Sequence, residues 1–82
     1  MIEIRYFAGL RERIGHPREV LETGAETVLD LVEELRLLGE GHALAFADLA
    51  AIRVALDQEL ADLSAPLAGV REVAFFPPMT GG

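Results

Sequence analysis

Glu72-Val73-Ala74-Phe75-Phe76-Pro77-Pro78-Met79-Thr80-Gly81-Gly82 changes character halfway along its length. Glu72 to Phe76 alternates as a strand does, with Val73 and Phe75 aimed at a core and Phe76 aimed outward. Pro77 and Pro78 then forbid the strand to continue. Each ring fixes its own φ, removes a donor, and pushes the residue before it to extended geometry. Beyond the prolines runs a thread of small residues. Pro77 to Gly82 spans roughly 20 Å when extended, at about 3.3 Å per residue. Gly81 and Gly82 have no Cβ and pass where no other residue fits. We therefore expect a folded body over residues 1–76 and a flexible tail over 77–82 that ends on the Gly82 carboxylate.

The rest of the chain supplies partners for that last strand. Ile2 to Phe7 alternates in the same way, with Ile2, Ile4 and Tyr6 inward and Glu3, Arg5 and Phe7 outward. Ala8 to Ile14 reads as a short helix that stops at Gly15, and Pro17 bars its continuation. Glu19 to Glu22 is a second strand, paired with the first in a widened hairpin. Thr27 opens the clearest helix as an N-cap, with Asp30 at the capping-box position. Val28, Leu31, Val32, Leu35 and Leu38 form its apolar stripe, and Gly39 is the expected stop. Glu40-Gly41-His42 reads as a loop and Ala43 to Leu49 as a short helix, in which Leu44 and Phe46 compete for the interior. Ile52 to Leu56 is a third long strand, and Leu60 to Leu63 a short return strand. A parallel pairing of first and last strands sets Phe7 beside Phe76 on an open sheet face. The expected class is α+β, a mixed sheet with one main helix across it.

Composition excludes several functions. At 82 residues the chain is one small domain, and no apolar run reaches the length of a membrane span. With no signal-peptide pattern at its start, a soluble cytoplasmic protein is the default expectation. The net charge of −7 argues against nucleic acid and anionic membranes as partners. An anionic substrate would likewise need a basic pocket on another protein. There is no cysteine, which rules out thiolate metal sites and a protein-bound persulfide. His16 and His42 lie far apart without metal-ligand spacing, so loop or surface positions and no metal site are expected. All seven basic residues are arginine, which leaves no side-chain amine for polymer growth. With no nucleophile–base pair and no glycine-rich phosphate loop in the sequence, the chemistry falls to the Gly82 carboxylate. A carboxylate is a poor acyl donor, but adenylation by ATP gives it a leaving group that a sulfur nucleophile displaces. The product is a thiocarboxylate.

Tyr6-Phe7-Ala8, Leu10-Arg11-Glu12, Gly15, Thr27-Val28 and the whole of Glu72 to Gly82 resemble the sulfur-carrier (small) subunits of molybdopterin synthase. The resemblance covers essentially the whole chain, and the tail is its specific part. It implies a β-grasp, ubiquitin-like fold. It implies that a ubiquitin-activating-type adenylyltransferase consumes ATP at Gly82, that a sulfur transferase converts the adenylate to a thiocarboxylate, and that the subunit binds no cofactor itself. The tail Pro77, Pro78, Met79, Thr80, Gly81 would thread into the large subunit of a heterotetramer, where sulfur passes to cyclic pyranopterin monophosphate. Carried over by position, the docking face includes Phe7, Leu60 and Phe76. Two positions depart from the family pattern: Val70-Arg71-Glu72 follows Gly69 where Gly-Asp-Glu is common, and Asp57 replaces the usual Asn. The alternatives are a thiazole-pathway sulfur carrier, a ubiquitin-like protein modifier, and an interaction domain with an inert tail.

Overall fold

The computed structural model describes residues 1–78. Five strands form one sheet: β1 (Ile2–Tyr6), β2 (Arg18–Leu21), β3 (Arg53–Leu56), β4 (Glu59–Ala61) and β5 (Glu72–Phe76). Their spatial order is β2-β1-β5-β3-β4. β1 and β5 run parallel at the centre, and the other pairings are antiparallel. This is the α+β mixed sheet that the strand alternation predicts, and its β-grasp arrangement is the one the family resemblance implies.

Three helices accompany the sheet: α1 (Ala8–Ile14), α2 (Val28–Arg36) and α3 (Glu40–Ala45). α2 supplies Val28, Leu31, Val32 and Leu35 to the interior, all fully buried. The Thr27 side chain accepts from the Asp30 amide at 3.2 Å, as its N-cap position requires. Two further first-turn amides that helix geometry leaves unpaired donate to the 62–68 loop, Val28 to the Ala65 carbonyl and Leu29 to that of Leu63. The loop is thereby tied to the start of α2.

The helix boundaries depart from the sequence reading in two places. α2 ends at Arg36, one turn short of Gly39, and Leu38 is half exposed instead of joining the stripe. Gly39 instead precedes α3, so Glu40, Gly41 and His42 are helical and not a loop. The expected helix over 43–49 is displaced toward the N-terminus, and a 3-10 turn at Leu49–Ala51 comes after it. Packing is the cause. A Cβ on Gly41 would lie 2.4 Å from the Arg13 carbonyl oxygen, so the glycine lets α3 sit directly on the end of α1. That seat points Phe46 fully inward and leaves Leu44 exposed.

Smaller differences are local. β4 is Glu59–Ala61, a shorter return than 60–63. Asp57 and Gln58 both have positive φ, 48° and 72°, the signature of a two-residue hairpin turn. Asp57 Oδ1 accepts from the amides of Arg71 at 3.0 Å and Glu72 at 2.9 Å. The two departures from the family pattern therefore meet: the side chain of one caps the backbone of the other. An Asn oxygen would accept the same two bonds.

Candidate docking face and tail root

The sheet has one covered and one open face, and register decides what the open face carries. Across it Arg18, Arg5, Ala74, Ala55 and Leu60 lie in one row, because Arg5 pairs with Arg18 and Ala74, and Ala55 with Ala74 and Leu60. Phe76 opposes Arg53 in the next row. Continuing the β1–β5 register by one residue sets Phe7 beside Phe76, and the Phe7 amide donates to the Phe75 carbonyl at 3.1 Å. Phe7, Phe76 and Leu60 thus share this face, as the sequence reading expects. They are not equivalent. Leu60 is 79% exposed and Phe7 46% exposed, whereas Phe76 is half-buried. Leu60 stands two strands from β5, about 10 Å at the usual spacing. Ala55 and Ala74 lie between, and their small side chains keep the patch flat. The sequence reading passes over these two alanines, although their alternation with Val54 and Val73 marks them as outward.

Charge borders the apolar patch. Arg5 Nε bonds Glu3 at 2.6 Å and reaches Glu72 at 3.7 Å, and Arg18 lies 3.6 Å from Glu3. The hydrogen bond from Arg5 holds the Glu3 carboxyl below its usual range. The pairs are exposed and contribute little stability. Three arginines, Arg5, Arg18 and Arg53, nevertheless stand on this face of an acidic protein.

Ala8 begins α1 with φ of 53°, a left-handed conformation that costs a non-glycine residue about 1–2 kcal/mol. It turns the chain sharply after Phe7 and so fixes where that ring emerges. At the same end of the face, Pro77 is exposed and borders a groove of ≈ 260 Å³ shared with Gly9, Leu44 and Asp48. The tail therefore leaves the body between the α1–α3 side and the open sheet face. The proposed tail positions Met79, Thr80, Gly81 and Gly82 lie outside the described residues.

A second polar cluster sits at the opposite sheet edge, and here the sequence expectation fails. His42 is buried, only 8% exposed, and its Nε2 lies 2.6 Å from Glu19 Oε2. The buried Tyr6 hydroxyl donates to the same oxygen at 2.6 Å. His16, in the α1–β2 connection, lies 3.2 Å from Glu19 Oε1 and is 45% exposed at its side chain. Only His16 keeps the surface position expected of both. Burial pushes the Glu19 carboxyl up, but the bonds from Tyr6, His42 and His16 outweigh it and hold the group below its usual range. Burial first, and then the Glu19 carboxylate, push the Tyr6 phenol well above its ordinary value.

The family model described as "ThiS family" matches residues 4–82. The chain belongs to the ThiS family. The molybdopterin synthase sulfur carrier subunit of Escherichia coli (strain K12) is 35% identical over 82 residues, covering all of both chains. Among solved structures, SAMP1 from Haloferax volcanii superposes with a TM-score of 0.74 at 29% identity, covering 99% of this chain and 98% of that one. A protein–protein complex of subunits 1 and 2 of molybdopterin-converting factor from Helicobacter pylori 26695 contains a chain that matches at TM-score 0.65 and 25% identity, over 99% of this ThiS-family chain and 97% of that one. No helix among the described residues is long and apolar enough to cross a membrane.

Proposed function

We propose that this ThiS-family chain is the sulfur carrier subunit of a molybdopterin synthase. One observation carries the reading: the chain matches a relative of that name along its entire length, tail included. The fold adds a packed body whose open face carries Phe7, Phe76 and Leu60 among arginines, with the tail root beside it. In this reading Gly82 is adenylated by a ubiquitin-activating-type enzyme with ATP, and sulfur displaces AMP to leave a thiocarboxylate. The open face around Phe7, Phe76 and Leu60 docks a large catalytic subunit in a heterotetramer. The tail from Pro77 to Gly81 delivers the thiocarboxylate to cyclic pyranopterin monophosphate, and two such transfers build the dithiolene. The small subunit supplies no cofactor and no metal to that reaction, and the large subunit supplies the basic pocket for the anionic pterin.

The test is intact mass of the full chain after incubation with ATP, an activating enzyme and a sulfur source. One terminal oxygen exchanged for sulfur is expected, followed by loss of that sulfur when large subunit and pterin precursor are added. Deleting Gly82 should abolish both steps while leaving the melting temperature unchanged. Sulfur loading without transfer to the pterin, but with transfer to a thiazole precursor, would overturn the assignment in favour of the thiazole pathway. An isopeptide adduct on a target lysine would overturn it in favour of a protein modifier.

A further inference from the structure

We propose that His16, Glu19 and His42 form a binding site for a borderline divalent cation, with Zn²⁺ the best fit. The three residues lie in three different segments: the α1–β2 connection, β2 and α3. Their donor atoms all fall within 4.8 Å of one another. Two imidazoles and one carboxylate are a donor set that suits Zn²⁺, with a fourth position left for water.

Bonds of about 2.0–2.1 Å to a tetrahedral centre put donor atoms roughly 3.3 Å apart. His16 Nε2 and Glu19 Oε1 already stand at 3.2 Å. His42 Nε2 and Glu19 Oε2 stand at 2.6 Å, the spacing of two groups sharing a proton. A cation entering there takes the place of that proton. The pair opens by under an ångström, and neutral His42 carries its proton on Nδ1 instead. His16 is the member on the open side: its side chain is 45% exposed. It also leaves the fourth position facing water.

The surroundings favour a ligand role over a plain hydrogen-bond clasp. The Tyr6 hydroxyl donates to Glu19 at 2.6 Å, as outer donors do to orient a ligating carboxylate. The rings of His16 and His42 both pack edge-on against Tyr6 and stand 6.1 Å apart, centroid to centroid, which sets them side by side. A half-exposed histidine adds little to a clasp that Tyr6 and His42 already complete, whereas a third ligand on the open side is what a cation needs. A bound cation would cross-link β2 to α3 at the sheet edge farthest from β4. The site lies on the covered side of the sheet, away from the open face, and the inference does not depend on the sulfur-carrier reading.

The test is calorimetric titration of the chelator-treated full chain with ZnCl₂, beside melting curves with and without Zn²⁺. One Zn²⁺ per chain and a melting temperature that rises with Zn²⁺ are expected. His16→Gln should leave the metal-free melting temperature unchanged and weaken Zn²⁺ binding at least about tenfold. Asp48→Asn, which removes a carboxylate elsewhere, should leave Zn²⁺ binding as it is. With Co²⁺ as probe, the visible absorption of a four-coordinate site should appear in the unmodified chain and vanish in Glu19→Gln. Absence of binding would overturn the proposal. So would Zn²⁺ binding that His16→Gln does not weaken, since it would belong to other carboxylates of this acidic chain.

Discussion

The two faces of the sheet are written on the same strands, one residue apart, and they do opposite things. Inward, Ile4, Tyr6, Val54, Val73 and Phe75 are at most 1% exposed and pack on α2 and Phe46. Outward, Arg5, Ala55, Ala74 and Leu60 form a flat strip of mixed character. A side chain on the inner face is surrounded, so its loss leaves a cavity. On the outer face exposure varies, from Ala74 at 9% to Leu60 at 79%, and the loss of an exposed side chain there leaves no cavity. Stability and recognition are thereby separated by strand parity, which gives mutations a clear test.

The largest effect is expected from Phe75→Ala. The ring is fully buried, with its centroid 4.9 Å from that of Phe46 in an edge contact and stacked near Tyr6. Truncating such a ring costs about 3–5 kcal/mol. A small domain holds about 5–15 kcal/mol in total. Urea unfolding should therefore show a midpoint lowered by a large fraction of its original value. A loss under about 1 kcal/mol would mean that the inner face tolerates vacancy, and the contrast between faces would fail.

Gly41→Ala probes the seam that fixes the inner face from the side. The new methyl would meet the Arg13 carbonyl at 2.4 Å, a backbone atom that cannot swing away. Overpacking of this kind costs about 1–3 kcal/mol. The same urea titration measures it. A neutral result would show that α3 can slide on α1, and would also loosen the placement of Phe46 and His42.

Tyr6→Phe removes one atom from an inner-face residue and reaches the sheet edge. The Glu19 carboxylate loses the bond at 2.6 Å but keeps His42. A loss of about 1–2 kcal/mol is expected, with the ring packing intact. A change near zero would place the weight of that cluster on the two histidines.

Legibility in the sequence obeys the same parity. Period-two alternation in 2–7, 52–56 and 72–76 is enough to assign both faces, whereas the parallel pairing of first and last strands, an assumption at the level of sequence, is what the structure shows. The prolines after Phe76 mark where the strand ends. The misreadings fall where tertiary contact overrides local signal. Gly39 looks like a helix stop, yet its role is to start α3, because Gly41 must meet Arg13. His42 looks like a loop residue because nothing local shows that β2 and the α1–β2 connection will converge on it. His16 and His42 are in one cluster only after the sheet edge and α3 have been assembled. No spacing rule reaches across two separate segments in that way. Asp57 and Val70-Arg71-Glu72 read as unrelated departures until the turn is seen to cap the loop.

Leu60→Glu should have the smallest effect on folding and is the sharpest test of the outer face. The side chain is 79% exposed on a three-residue edge strand and opposes only Ala55. Exposed substitutions of this sort stay within about ±0.5 kcal/mol, and a charge on an edge strand also discourages unwanted pairing. If the strip docks a partner subunit, a carboxylate buried there without a partner weakens binding even though folding is untouched. Calorimetry with the large subunit should show that weakening, and Phe76→Asp should exceed it, since Phe76 stands beside Phe7 at the tail root. Unchanged affinity for Leu60→Glu with a loss for Phe76→Asp would shrink the docking surface to the β1–β5 pair. Unchanged affinity for both would leave the outer face without the role assigned to it, however well the inner face behaves.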